Sequence, residues 1–141
     1  MKIFKILFFL FLATSTYAKP LTIDEQTEFY DLLPHSKIYI DKSKSLSLQN
    51  IQNKLDSFKV NNKKLLSYGY SPNFNVWIKF TLKNKTDKTI ERILEYGNSI
   101  TTEIEFYDIN EQVYNDKDGL FSIDKTRKTI NPTFKIKIIA N

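Results

Sequence analysis

Asn75-Val76-Trp77-Ile78-Lys79-Phe80-Thr81-Leu82-Lys83 is the stretch on which the fold turns. Val76, Ile78, Phe80 and Leu82 recur at every second position, with Trp77, Lys79, Thr81 and Lys83 between them. Side chains of a strand leave alternate faces, so this period of two predicts a half-buried strand. Working outward, the polar run 84–88 (NKTDK) predicts a turn and 89–96 a returning strand, so the pair reads as a hairpin that ends at Gly97-Asn98-Ser99. Residues 103–108 (EIEFYD) set Ile104 and Phe106 against Glu105 and Tyr107, and residues 133–139 (TFKIKII) set Phe134, Ile136 and Ile138 against Lys135 and Lys137. Between them, 115–119 is rich in Asp and reads as a turn. Upstream, 37–41 (KIYID) reads as a strand, and Ser47 caps a short helix with Leu48, Ile51 and Leu55 on one face. Asp24, Glu25 and Glu28 predict a further short helix through Leu33, ended by Pro34. Short strands with turn signals roughly every ten residues predict an all-β antiparallel sandwich rather than a helical or α/β fold.

The first residues stand apart from that pattern. Lys2 and Lys5 precede an unbroken apolar run at 6–13 (ILFFLFLA), and 14–18 (TSTYA) offers small residues for a cut after Ala18. This is the layout of a secretory signal peptide. Its eight apolar residues fall far short of the roughly 20 that span a bilayer. The expected organisation is therefore a signal peptide at 1–18, a lead-in at 19–36 and one β domain at 37–141, with the product exported to the periplasm. No second apolar run of membrane-spanning length follows.

Composition removes several functions. The formal charge of +5 falls to +3 without Lys2 and Lys5, and the rest is spread as single lysines among acids. Nucleic-acid binding needs a concentrated basic face, and Lys63-Lys64 adjoins no aromatic platform. The absence of cysteine excludes thiol catalysis, disulfides and thiolate zinc sites. Eleven Phe, eight Tyr and one Trp must build the core unaided. His35 is the sole histidine and lies beside Pro34 in the lead-in, where a general base would lack positioned partners. No Gly-x-Ser-x-Gly, His-Glu-x-x-His or phosphate loop occurs. Glu103 and Glu105 share a strand face rather than flanking a cleft as glycosidase acids do. Asp116-x-Asp118 opens like a calcium loop but lacks the later ligands. The chain reads as non-catalytic, with no cofactor and no metal.

Trp77 is the informative residue. It stands opposite the apolar stripe, on the face of Lys79 and Thr81. An aromatic plane beside hydrogen-bonding groups suits a sugar or another small ligand. The blander alternative is that loops or the lead-in cover Trp77 and make it a second core, the commoner fate of a large aromatic.

Several segments in order carry a family resemblance. They are Tyr68-Gly69-Tyr70-Ser71, the run from Asn75 to Asn84, Glu95-Tyr96-Gly97-Asn98, Tyr107, Gly119, Arg127 and Asn131-Pro132-Thr133-Phe134, with Asp41 and Leu46-Ser47-Leu48 upstream. Over about residues 30–139 the chain resembles the type-2 extracytoplasmic sensing domain of bacterial seven-transmembrane receptors with diverse intracellular signalling modules. The resemblance implies a jelly-roll-like sandwich, similar to carbohydrate-binding modules, that senses a ligand outside the inner membrane. The family carries an arginine two residues after the Trp, where this chain has Lys79, a donor without bidentate geometry. The family also adds a last strand and a membrane portion, so the resemblance implies a sandwich short of one strand, as a fragment of a receptor or as a truncated gene product. The expected ligand contacts are Trp77, Lys79, Tyr107 and Arg127, the last supplying the planar donor fork. The partner is then a small molecule, carbohydrate-like or acidic. The competing expectation is a free-standing secreted adhesin or interaction protein without signalling output.

Overall fold

The computed structural model describes residues 19–69, 71–109, 114–121 and 129–140. The signal-peptide segment and Arg127 lie outside the described residues. Among the described residues the strands are β1 (Leu21–Ile23), β2 (Lys37–Asp41), β3 (Lys59–Val60), β4 (Asn75–Lys79), β5 (Leu82–Asn84), β6 (Ile90–Glu95), β7 (Ile104–Asp108), β8 (Tyr114–Asp118) and β9 (Thr133–Ile138), with one α-helix, α1 (Leu48–Gln52). The all-β class read from the alternation holds. The chain forms two compact units, which divide between Leu21 and Thr22, between Tyr30 and Asp31 and between Thr81 and Leu82.

The first unit is built on β2, flanked antiparallel by β3 and β4 in the order β3-β2-β4. Tyr39 lies opposite Trp77, Ile38 opposite Ile78 and Ile40 opposite Val76. The pleat therefore gathers Tyr39 and Trp77 on one face and the four aliphatic residues on the other. Phe58 is buried and packs against Tyr39 in a tilted ring contact with centroids 5.6 Å apart. Ser47 caps α1 as expected: its Oγ accepts from the Asn50 N–H, and Ile51 is buried. The turn between β2 and α1 is pinned by Asp41, whose carboxylate accepts from the Ser43 N–H and Oγ and from the Leu46 N–H. The Ser43 hydroxyl is the main reason that this carboxyl is held below its usual range.

The lead-in forms no helix at 24–33. The Asp24 Oδ1 accepts from the N–H groups of Gln26 and Thr27, and its own N–H donates to the Tyr30 hydroxyl. A side chain that satisfies the local backbone this way offers the chain a turn in place of a helix. Only a 3-10 turn at Leu33–His35 follows.

The long strand expected at 75–83 is two strands. It stops at Lys79 and resumes as β5, which pairs with β1. The change of neighbour is marked by the Leu21 N–H donating to the Thr81 carbonyl. The hairpin expected across 84–88 is likewise corrected, because β6 pairs antiparallel with β9 along its whole length. Asn84 explains the redirection. It is 2% exposed, its Nδ2 donates to the carbonyls of Lys88 and Ile138, and its Oδ1 accepts from the Thr86 N–H and hydroxyl. The turn thus hands the chain to β9 rather than back along β5. The register then sets Ile90, Arg92 and Leu94 against Ile138, Ile136 and Phe134.

The Asp-rich segment expected as a turn is strand β8, paired antiparallel with β7. Glu105 lies opposite Lys117, and their side chains form an ion pair. Asp118 closes β8 and is 1% exposed. Its two carboxylate oxygens accept from the N–H groups of Gly119 (2.7 Å) and Thr133 (2.9 Å). Gly119 has φ +141°, and a Cβ there would come within 2.6 Å of the Thr102 carbonyl oxygen. Glycine alone combines that backbone with that approach. The core of this second unit is Ile23, Ile90, Phe134 and Ile136, with Phe106 stacked on Phe134 at 5.6 Å.

Candidate functional site

In the second unit, Ile90, Arg92 and Leu94 project from β6 toward the side on which β9 offers Phe134 and Ile136. On β7, Phe106 and Asp108 are two residues apart and share a face, and Phe106 rests on Phe134. The same strands carry a cleft of about 590 Å³, lined by Glu91, Arg92, Ile93, Phe106, Asp108, Lys135, Ile136 and Lys137. Its size falls within the range of small-molecule sites, and its lining is rich in charge, with Ile93, Phe106 and Ile136 as the apolar part.

Arg92 is the anomaly of this wall. It is half-buried in a stripe that is otherwise Ile and Leu. Its Nη2 donates to the Asp24 carbonyl at 2.5 Å and its Nη1 to the Glu91 carbonyl at 3.1 Å. Its Nε is buried and has no partner among the described residues. No carboxylate among them forms an ion pair with it either, whereas buried charge is ordinarily paired. Lys137 pairs with Glu91 at 3.7 Å on the exposed face.

Trp77 and Lys79 share one face of β4, as the alternation implied. That face also carries Tyr39, and the indole Nε1 is closed off from solvent. Lys79 lies opposite Lys37. Tyr107 belongs to the second unit, on the face of β7 opposite to Phe106. Its hydroxyl donates to the Glu105 carboxylate, which also binds the Lys117 ammonium. Burial first, and then the Glu105 contact, push the Tyr107 phenol up to about 12. The Lys117 ammonium, followed by the Tyr107 hydroxyl, holds Glu105 below the usual carboxylate range. Glu105 in turn raises Lys117. Arg92 and Asp108 were not among the residues singled out from the sequence. The signal that could have found the first is a cation at an inward position of the Ile90–Leu94 alternation.

The calcium reading of Asp116 and Asp118 finds no support in the geometry. Both Asp118 oxygens serve backbone N–H groups, and no acid or histidine cluster fit for a metal occurs among the described residues.

The described residues are mostly short antiparallel strands, and the second unit carries a partly apolar, partly charged cleft. The family model for the 7TMR-DISM extracellular 2 domain matches residues 33–137. The chain belongs to this family, the extracellular sensing domain of membrane receptors, and so acts on the extracytoplasmic side. No curated protein and no solved structure matched the chain. No helix among the described residues is long and apolar enough to cross a membrane.

Proposed function

We propose that this domain binds a small, carbohydrate-like molecule outside the inner membrane and passes its occupancy to a receptor, without catalysing a reaction. The observation that supports this reading is the cleft of about 590 Å³ beside Phe106, which offers a ring-sized apolar wall next to Arg92 and Asp108. In this reading residues 1–18 direct export and are removed after Ala18, and the β fold is of the jelly-roll-like kind that the family resemblance implies. Trp77, Lys79, Tyr107 and Arg127 remain proposed contacts, to be tested one by one.

A thermal-shift screen of mono- and disaccharides and small acids tests the function, because a ligand that binds only the folded state raises the melting temperature. The expected result is a concentration-dependent rise for one chemical class. Its loss on Ile136→Trp, which fills the cleft, would place the ligand there. A shift unaffected in that variant but abolished by Trp77→Ala would move the site to the first unit. Mass spectrometry of the exported product, expected to begin at Lys19, tests the processing step.

A further inference from the structure

We infer that the first unit holds a binding site of its own, independent of the cleft in the second, for a small organic acid with one carboxylate and an apolar body. The register turns Ile38 and Ile40 to the face of β2 away from Tyr39 and Trp77, and sets Lys59 of β3 opposite Ile38. Both isoleucines are only half-buried, although they belong to the aliphatic stripe of this sheet. Together with the run 59–63 and Tyr68 they line a cavity of about 210 Å³. The segment that carries Lys63 is held from several sides. Asn61 is buried, and its N–H donates to the Ser36 carbonyl. Its Nδ2 donates to the carbonyls of Leu33 and Lys63, and its Oδ1 accepts from the Lys63 N–H. The Tyr68 ring stands edge-on to Phe74 with centroids 5.6 Å apart, and the Lys63 ammonium lies 5.5 Å from its centre. A lining ordered in advance lowers the entropic cost of taking up a ligand.

Charge decides the head of that ligand. Lys59 and Lys63 both line the cavity, and none of the described lining residues is acidic. Neither lysine forms an ion pair among the described residues. A carboxylate there meets two ammonium groups and no like charge. The apolar lining decides the body. Ile38, Ile40 and the Tyr68 ring offer hydrocarbon and aromatic surface. Against it, a sugar's hydroxyls or a second carboxylate would give up hydrogen bonds to water. The cavity is smaller than drug-sized sites of roughly 300–1,000 Å³. That limits the body to a single ring or a short branched chain.

The test is an NMR titration of isotope-labelled protein, purified after expression of the whole chain. Benzoate and isovalerate are compared with benzyl alcohol, which lacks the charge, acetate, which lacks the body, and succinate, which carries a second charge. The two acids are expected to bind at least about fivefold more tightly than each control and to weaken as salt is raised. They should move the amide signals of residues 59–63 and Tyr68. Lys59 and Lys63 are exposed, so Lys59→Gln and Lys63→Gln should leave the fold intact. Each should weaken benzoate binding about threefold, and the double variant about tenfold. Benzyl alcohol binding as tightly as benzoate, or undiminished affinity in the double variant, would overturn the inference. So would signal changes confined to the second unit, or no binding of either acid. Thermal melts accompany the variants. If the double variant unfolds, the wild-type preference for acid over alcohol decides, and affinity indifferent to salt refutes the inference.

Discussion

Phe134→Ala is the most direct probe of how the second unit is held together. Phe134 is 2% exposed, lies opposite Leu94 and stacks on Phe106, so its ring fills the space between the β6-β9 pair and β7. Removing a buried phenyl ring costs about 3–5 kcal/mol through lost transfer energy and the cavity left behind. The lost ring pairing accounts for about 0.5–1.5 kcal/mol of that sum. Against a total stability of about 5–15 kcal/mol for a domain, the variant is expected to be barely folded or to melt well below the parent. Ile93→Ala is the control. Ile93 neighbours Leu94 on β6 but is 67% exposed on the other face, and its loss should cost less than about 0.5 kcal/mol. Urea titrations followed by far-ultraviolet circular dichroism report on both units, whereas Trp77 fluorescence reports on the first alone. Coincident curves would show that the units unfold as one. Equal destabilisation by Phe134→Ala and Ile93→Ala would refute the face assignment of β6 and β9.

Three further outcomes follow from the hydrogen bonds described above. Asp118→Asn presents an NH₂ group to one of two backbone N–H donors and should cost about 1–3 kcal/mol in the same titrations, while Lys79→Ala should cost well under 1 kcal/mol. Asp24 is lowered from 3.8 to about 2, chiefly by the Thr27 N–H, so its stabilising contribution is complete above pH 3.8 and is lost as the pH falls through 2. Urea midpoints measured against pH should show that loss, and Asp24→Asn should flatten it. The Tyr107 phenol is raised from 10.0 to about 12, so its contribution is complete below pH 10.0 and is lost as the pH rises through 12. Burial also raises the Tyr96 phenol, so phenolate absorbance should show a late-titrating fraction, and Glu105→Gln should bring only the Tyr107 part of it partway down because burial is the larger cause there.

The sequence made some elements plain and hid others for identifiable reasons. β7 and β9 were legible because Ile104 and Phe106, and Phe134 and Ile136, alternate with charged residues whose placement outward costs nothing. The Ser47 cap was legible because capping is settled within a few residues. The β5-β6 hairpin was expected from proximity along the chain. What decided the pairing was a buried Asn84 reaching the Ile138 carbonyl, 54 residues away, which no local pattern encodes. β8 was hidden by its composition. Asn115, Asp116 and Asp118 favour turns, and only the partner strand with its Glu105–Lys117 pair makes the segment extended. For Trp77, alternation distinguished two faces of β4 but could not say what covers each, and Trp77 and Ile78 are both half-buried. Arg92 is a charge out of phase with its stripe, yet that no ion pair to it forms among the described residues emerges only once its neighbours are placed.

The β6-β9 pairing also sets the order in which this chain can fold. Leu94 and Phe134 are partners forty residues apart, and β7 and β8 lie inside the loop that their pairing closes. Closing a long loop carries an entropic penalty before any contact repays it, so distant pairings form late and slowly. The β7-β8 hairpin, whose partners are close in sequence, is positioned to form first and shorten the effective loop. Substitutions at Ile104 should then slow folding, while those at Ile138 should mainly speed unfolding. Stopped-flow refolding of the two variants measures this, and the reverse assignment of rates would mean that the distant pair is the nucleus.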